Sequence, residues 1–503
     1  MELNDLEQQR LEKLETLRSA GVTPYPHRTH RTHTTLDAQQ VFEQAEREET
    51  TPPVVTVVGR LVSIRVMGKI SFAHVEDATG RIQLFLRHNV MDEESYALFK
   101  QTFDLGDFVE ATGPLMRTRT GEISVEVTDL RMLAKAVTPL PIPKEYEDEA
   151  GEVTRYSAFS DVEERYRQRY ADLATNPEVR EVFRTRSRTI SALRRWLDAH
   201  GYLEVETPVL QPIYGGAAAR PFTTHHNQLK QELYLRISFE LYLKRLLVGM
   251  YERVYEIGRD FRNEGVSYKH NPEFTQLELY CAYTDLYGIM ATVEQLLASA
   301  AEAVLDSPRF VYQGDEIDLT PPWRRVTLRD VIREGTDIDY AAHPTADALR
   351  QEMRERGYQA PPDATWGQLV DDLLSAVEPT LIQPTFVHDY PVAISPLAKQ
   401  KPEDPSHVER FELFIGGLKM GNAFTELTDP FEQEERFLQQ GRAYEAGDEE
   451  AQPLDADYLQ AMKYGMPPNG GFGLGIDRLA MLFTDRHSIR EVLLYPHLRP
   501  REA

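Results

Sequence analysis

One cysteine and three tryptophans occur in 503 residues. The lone Cys281 excludes an internal disulfide, and no cysteine cluster exists for zinc. No apolar run is read as approaching the roughly 18 residues of a membrane helix, so no membrane association is expected. The acidic, helix-prone start MELNDLEQQRLEKLETLRSAG is unlike a secretory or transit leader, and a cytoplasmic protein is expected. Positive charge is also scarce. The net charge of −25 argues against a general nucleic-acid coat, because nonspecific binding rests on phosphate neutralisation. The usual nucleotide signatures are missing too. There is no GxxxxGK[ST] loop, and GFGLGID at 471–477 has neither GxGxxG spacing nor a suitable acidic partner.

What is present suggests several domains and an ample core, with 41% hydrophobic and 27% charged residues. Residues 1–50 read as a helical extension, with Leu3, Leu6, Leu11, Leu14 and Leu17 along one stripe and Gly21 and Pro24 as stops. Residues 51–140 hold five short strand-like runs broken by Gly, Asp and Thr turns, which suits a small Greek-key barrel of the OB type. Within 54–140, ten basic residues face eleven acidic ones, so nearly all the negative charge lies elsewhere. Residues 141–165, rich in proline and acid, read as a linker. From 166 to 503 one α/β segment follows. Helices are expected over 178–200, 238–250 and 286–305, and strands over 203–206, 232–237, 252–261, 273–281, 408–415 and 418–426. A helical insertion is expected around 306–380, and an exposed acidic stretch at 441–457.

Three segments carry chemistry. The first is the long helix ending at Gly201, followed by LEVETPVL. The second is ERVYEIGRDFRNEGVSYKHNPEFTQLELYC at 252–281, read as two strands joined by a charged loop. In its second strand Phe274, Gln276, Glu278 and Tyr280 share one face, and Thr275, Leu277, Leu279 and Cys281 share the other. Arg262 stands where strand meets loop, near Glu264 and His270, and a guanidinium can grip phosphate oxygens in pairs. The third is GGFGLGIDRLAMLF at 470–483, read as a tight glycine turn and then a helix with Arg478 in its first turn. Singly, each has an ordinary structural reading: a surface ion pair, a helix cap, a solvent-facing arginine.

Together and in this order, the segments resemble motifs 1, 2 and 3 of class II aminoacyl-tRNA synthetases, and the likeness runs over nearly the whole chain. An OB-type domain before such a core resembles the subclass for lysine, aspartate or asparagine. A cationic substrate needs buried carboxylates, because a desolvated ammonium is costly unless paired. RISFELYLKR with Glu240, TQLELYCAY with Glu278, GNAFTELTDP with Asn422 and Glu426, and YGGAAARPF with Gly216 resemble the lysine pocket of bacterial lysyl-tRNA synthetases. The resemblance implies an α+β protein, an OB-fold barrel followed by a catalytic core of antiparallel sheet flanked by helices. The implied activity is ATP-dependent ligation of L-lysine to tRNA(Lys) through a lysyl-adenylate.

The same resemblance implies residue roles. Arg262 and Arg478 would be catalytic, holding the α- and γ-phosphates, with Glu264, His270 and Phe274 completing the ATP site. Gly216, Glu240, Glu278, Tyr280, Asn422 and Glu426 would bind lysine. Arg65, Phe72 and Gln83 would read the anticodon, although Phe72 also suits a barrel core. A homodimer is implied. So is Mg²⁺, held by two glutamates on successive strands, but here RFELFIGGLKMGN supplies Glu412 and then Lys419. A two-residue turn at Gly416–Gly417 would set Glu412 and Lys419 on one face, and an ammonium cannot ligate a cation. Three readings stay open: Lys419 touches phosphate in place of part of the metal charge, it points away, or activation is impaired. Two other functions also remain: a relative that aminoacylates a protein, and a noncatalytic RNA-binding paralogue.

Overall fold

The computed structural model describes residues 3–141, 144–147, 153–156, 159–445 and 453–501. Much of the expected linker, and of the acidic stretch 441–457, lies outside these residues. The chain divides into two compact units, Met1–Thr175 and Asn176–Ala503.

In the first unit, α1 (Asp5–Ser19) starts from a reciprocal cap between Asn4 and Glu7 and buries Leu14 and Leu17, while Leu3 and Leu6 stay exposed. A second helix, α2 (Thr35–Arg47), buries Ala38, Phe42 and Ala45. Six strands follow: β1 (Val54–Met67), β2 (Ile70–Glu76), β3 (Arg81–Arg87), β4 (Phe108–Arg117), β5 (Ile123–Val127) and β6 (Asp129–Ala134). The order is β1-β2-β3-β5-β4-β6, and a further β1–β4 pairing brings the sheet back on itself. Alternation along β1 and β2 sends Val55, Val57, Ala73 and Val75 into one apolar cluster with Ile82, Leu84 and Val125. The run expected as one last strand is two, and MDEESYALFKQT contains a helix, α3 (Glu93–Thr102), that packs Tyr96 and Phe99 under the barrel. Phe99 lies in the C-terminal half of a single short helix, where apolar periodicity is too brief to stand out.

The second unit is built on eight strands: β7 (Leu203–Glu204), β8 (Arg253–Phe261), β9 (Glu273–Ala282), β10 (Arg324–Thr327), β11 (Thr385–Pro391), β12 (His407–Ile415), β13 (Leu418–Thr425) and β14 (Asn469–Gly475). Their order is β10-β11-β12-β13-β14-β9-β8-β7. The interior is antiparallel, as expected, but the pairs β10–β11 and β8–β7 are parallel, so the sheet is mixed. Helices α4 (Pro177–Ala199), α6 (Leu286–Leu305) and α9 (Ile476–Phe483) bury Leu193, Leu197, Met290, Val293, Leu297 and Leu479 in one cluster with Leu277, Leu279, Phe411, Leu413 and Leu474 of the sheet. Between α4 and α6 lies α5 (Glu240–Val248). Gly201, at φ 77, ends α4 in the left-handed conformation that glycine adopts without strain.

Three expectations need correction. By length and composition α6 could cross a membrane, contrary to the reading of the apolar runs. It is the central core helix, with Ile289, Val293, Leu296 and Ala300 buried against the sheet. The segment 306–380 is only partly helical: Arg309–Tyr312 and Asp315–Asp318 form a hairpin, β10 joins the main sheet, and α7 (Leu328–Thr336) and α8 (Trp366–Val377) follow. Finally, the glycines at 470–475 do not turn. They form β14 between β13 and β9, and α9 begins directly at Ile476. Glycine is disfavoured in strands unless another group needs the space above it, and here it does. A Cβ on Gly471 would lie 2.2 Å from the Tyr280 ring and 2.6 Å from Glu426 Oε1.

That crowding yields a prediction. Gly471→Ala is expected to destabilise the protein by about 1–3 kcal/mol, the usual cost of overpacking, read as a lower Tm. Gly441→Ala, in a helix with nothing within 4 Å of the added carbon, is expected to leave Tm unchanged or raise it.

Candidate active site

Sheet register places the site. Glu278 on β9 pairs with Gly473 on β14, Gly473 with Asn422 on β13, and Asn422 with Glu412 on β12. Directly opposed residues share a face, so one row across four strands carries two carboxylates and an amide past a glycine gap. The other face of β9 is the apolar core expected from its alternation. Above the row opens a cavity of about 1280 Å³, lined among others by Gly216, Glu240, Arg262, Glu278, Lys419 and Arg478. Each residue assigned from sequence to ATP or lysine lines this cavity except Glu426, which sits beneath it. Its Oε1 reaches toward Gly471 of the lining.

One end of the cavity is acidic. Glu240, Glu278 and Glu426 are all buried. Glu278 accepts from Ser238 Oγ at 2.8 Å, Gln276 Nε2 at 3.1 Å and Tyr280 OH at 3.1 Å. Burial, followed by the charge of Glu240, pushes Glu278 up to about 7. Burial, only partly offset by Lys244, pushes Glu426 up to about 8. Gly216, at φ 87, forms part of the wall, since a Cβ there would lie 2.8 Å from Ser238 Oγ and 2.9 Å from Glu240 Cβ. Sequence reasoning missed Lys244, which is fully buried and bridges Glu240 at 2.5 Å and Glu426. Its position one helical turn after Glu240 was the available signal.

The other end is cationic. Arg262 lies over Phe274, its guanidinium carbon 5.0 Å from the ring centroid, and its Nε and Nη2 have only long contacts, 3.4 Å, to the Ile237 carbonyl. Arg478 donates to the Lys419 carbonyl at 2.5 Å and faces His270 Nε2 at 3.2 Å. Burial pushes the Arg478 guanidinium down, and the charge of Arg262 adds to this. His270 keeps one side toward solvent, yet partial burial and then Arg478 and Lys269 push it down to about 4. A neutral ring accepting from Arg478 at Nε2 carries its proton on Nδ1, 2.8 Å from Ser267 Oγ. Glu264 is exposed at the rim.

The insertion also reaches this end, which no local pattern foretold. Glu378 Oε1 accepts from Lys269 Nζ at 3.0 Å and from the Lys419 backbone at 3.4 Å. Asp371 of α8 lines the cavity, its carboxyl raised by burial and then by Glu412.

Lys419 does not point away. Gly416 and Gly417 make the two-residue turn, at φ 61 and 70, and Lys419 Nζ sits 2.5 Å from Glu412 Oε1. Arg410 donates to the same oxygen at 2.6 Å. Burial raises the Glu412 carboxyl, but Lys419 and Arg410 outweigh it and hold it below its ordinary value. Among the described residues no group of three or more His, Cys, Asp or Glu converges on a metal position. A single carboxylate clasped by two cations does not fit a protein-built magnesium site.

On the barrel, Arg65 and Phe85 flank Phe72 in register, and the Phe72 and Phe85 rings stack at 5.0 Å. Phe72 is half-buried and Arg65 exposed. Gln83 is committed at both ends of its amide, donating to Glu122 at 2.6 Å and accepting from Ser124 at 2.8 Å.

Comparison with known proteins agrees with this geometry. A family described as tRNA synthetases class II (D, K and N) matches residues 161–499, and one described as an OB-fold nucleic acid binding domain matches 55–133. The chain is 55% identical to a lysine–tRNA ligase of Roseiflexus castenholzii, with all of both chains covered. It is 52% identical to one of Chloroflexus aurantiacus, over all of this chain and 99% of the other, and 50% identical to one of Moorella thermoacetica, over 99% of each. The chain belongs to the class II tRNA synthetases (D, K and N), and within them to the lysine–tRNA ligases.

Proposed function

We propose that the protein joins L-lysine to tRNA(Lys) with ATP, and that the residues act as follows. The observation that carries this reading is the placing of charge in and under the cavity: Glu240, Glu278 and Glu426 cluster about Lys244 at one end, and Arg262 and Arg478 stand at the other, where Lys269 and Lys419 are paired with Glu378 and Glu412. Free lysine has two ammonium groups and one carboxylate. Glu278, Glu426 and Tyr280 take the side-chain ammonium, Glu240 and the Gly216 wall take the α-ammonium, and Asn422 helps to hold the amino acid. The carboxylate is thereby directed toward Arg262.

Arg262 draws the α-phosphate in, Phe274 offers a stacking face to adenine, and Arg478, steadied by His270, holds the γ-phosphate. Glu264 supports the nucleotide from the loop. A lysine carboxylate oxygen attacks the α-phosphorus in line, pyrophosphate departs, and the adenylate remains. A hydroxyl at the tRNA 3′ end then attacks the adenylate carbonyl and AMP leaves. The protein contributes positioning and preorganised charge, with no covalent nucleophile. Glu412, clasped by Lys419 and Arg410, is not free to hold magnesium, so positive charge at the phosphates has to come from the chain. Lys419 supplies such charge from the protein itself. The protein acts as a cytoplasmic homodimer. The comparisons lend no support to protein aminoacylation or to a noncatalytic RNA-binding role.

The primary test is lysine-dependent ATP–pyrophosphate exchange, with arginine and ornithine as competitors. Exchange that lysine does not stimulate refutes the reading. Phe72 presents a stacking face worth about 1–3 kcal/mol per base. Phe72→Ala is therefore expected to weaken tRNA charging and leave lysine-dependent exchange intact; equal loss in both assays contradicts the anticodon role. Lys419→Ala is expected to raise the KM for ATP about tenfold with lysine KM unchanged, and to steepen the dependence on free Mg²⁺. An ATP complex in which Lys419 stays on Glu412 and away from phosphate would count against the proposal.

The acidic pocket predicts a pH dependence. Carboxyls pushed up to about 7 and 8 hold protons in the lysine-free protein near neutrality. Their folded values exceed the unfolded ones, so their contribution to stability is present below the ordinary value of 4.5 and is lost as pH rises from there to about 7 and 8. A bound ammonium restores the ionised forms and expels those protons. The rise in Tm on adding lysine is therefore expected to be larger at pH 8 than at pH 6, read by thermal shift.

A further inference from the structure

The acidic end of the cavity contains a cation of its own. Lys244 has no exposed side-chain surface, and its Nζ lies 2.5 Å from Glu240 Oε1 and against Glu426 Oε2. These are carboxylates from two separate places, the first turn of α5 and the residue just after β13, brought together on one ammonium. The other Glu426 oxygen, Oε1, is buried without a hydrogen-bond partner, beside the gap left by Gly471. Charged and titratable groups face the cluster from several elements. Glu278 and Tyr280 face it from β9, Tyr458 from the helix Ala456–Lys463, Asp260 from β8 through its effect on Glu278, and Arg245 from α5 by way of Tyr458. Only Lys244 brings a cation into direct contact with the three carboxylates' cluster among the described residues.

Three carboxylates and one ammonium leave two negative charges unmatched. Two is the number of ammonium groups on free lysine. Without Lys244 a third carboxylate would stand uncompensated in a buried site, where an unpaired charge is very costly and the group takes a proton instead.

We propose that Lys244 is a positioning residue for the amino-acid pocket, holding Glu240 and Glu426 together and setting the pocket's charge to match a substrate with two ammonium groups. This rests on the lysine-binding reading above. Burial disfavours the charged form of Lys244, but Glu240 and Glu426 outweigh it, so the ammonium persists. Its removal pushes the neighbouring carboxyls further up and places more protons in competition with the substrate.

The test is steady-state ATP–pyrophosphate exchange from pH 6 to 9 on wild type, Lys244→Met, and Lys244→Met combined with Glu240→Gln, which restores the charge count, with Tm measured for each. In Lys244→Met the KM for lysine is expected to rise about tenfold or more near neutrality and to recover toward high pH, while the KM for ATP changes by less than about twofold. The double variant is expected to regain the wild-type pH profile even where its KM stays raised. A Lys244→Met enzyme with the wild-type pH profile, or with equal losses for lysine and ATP, overturns the proposal and marks Lys244 as a packing residue. If the single variant does not fold, the double variant decides: a profile shifted from wild type overturns the proposal, and an unshifted one supports it. Failure of the underlying reading is separate, because wild type would then show no lysine-dependent exchange.

Discussion

Burying like charges together is the constraint on which the rest of this site depends. Glu240, Glu278 and Glu426 share one pocket with almost no water contact. Such a cluster survives folding only if each carboxylate is bonded, paired or protonated. The fold uses all three means. Glu278 is held by Ser238, Gln276 and Tyr280, Glu240 and Glu426 close on Lys244, and protons stay on Glu278 and Glu426 further into the neutral range than ordinary carboxyls allow. Two of the three carboxyls are thereby held above their ordinary range, where a neighbouring cation favours ionisation.

The central strand makes room for that arrangement. In most sheets a strand between two neighbours carries large apolar residues, yet β14 reads Asn-Gly-Gly-Phe-Gly-Leu-Gly. Phe472 and Leu474 face the core with the neighbouring strands' apolar residues. On the opposite face the glycines leave space for Tyr280, Glu426 and Gln276 to lean across. The strand gives up side-chain packing on one face, and the cavity floor is the result.

This division explains what the sequence revealed and what it did not. The alternation of β9 was legible because Leu277, Leu279 and Cys281 interleave with Gln276, Glu278 and Tyr280, so the first three could be assigned to the core without other information. Glu240, Glu278, Asn422, Glu426 and the two arginines were legible through the resemblance, and register then explains why residues so distant in sequence meet. The β14 strand was misread because glycine is a turn former by local propensity, and only its neighbours' side chains reveal why it extends. Glu378 and Asp371 were illegible for another reason. They belong to the insertion after α6, and their approach to Lys269, Lys419 and Glu412 is tertiary. Lys244 and Arg410 were readable in principle, one helical turn from Glu240 and two strand positions from Glu412, but spacing alone does not distinguish a buried bridge from an ordinary local ion pair.

The two ends of the cavity acquire a joint meaning once their signs are compared. On the proposed reading, the acid cluster disfavours a phosphate and Arg262 and Arg478 disfavour an ammonium, which keeps the amino acid and the nucleotide apart. On the same reading the zwitterionic substrate would also be oriented, with its ammonium groups toward Glu278, Glu426 and Glu240 and its carboxylate toward Arg262. That carboxylate is the nucleophile of the proposed reaction. The field that selects the substrate therefore also aims its reacting atom at the phosphate end, and the energy of binding is spent on orientation. Lys419 fits the same logic. At 40% exposure, resting on a Glu412 already held by Arg410, its side chain is the more loosely committed of the two cations there. It can turn from carboxylate to triphosphate without leaving Glu412 unpaired. Arg410 secures the buried charge, which on the proposed reading leaves Lys419 for the nucleotide.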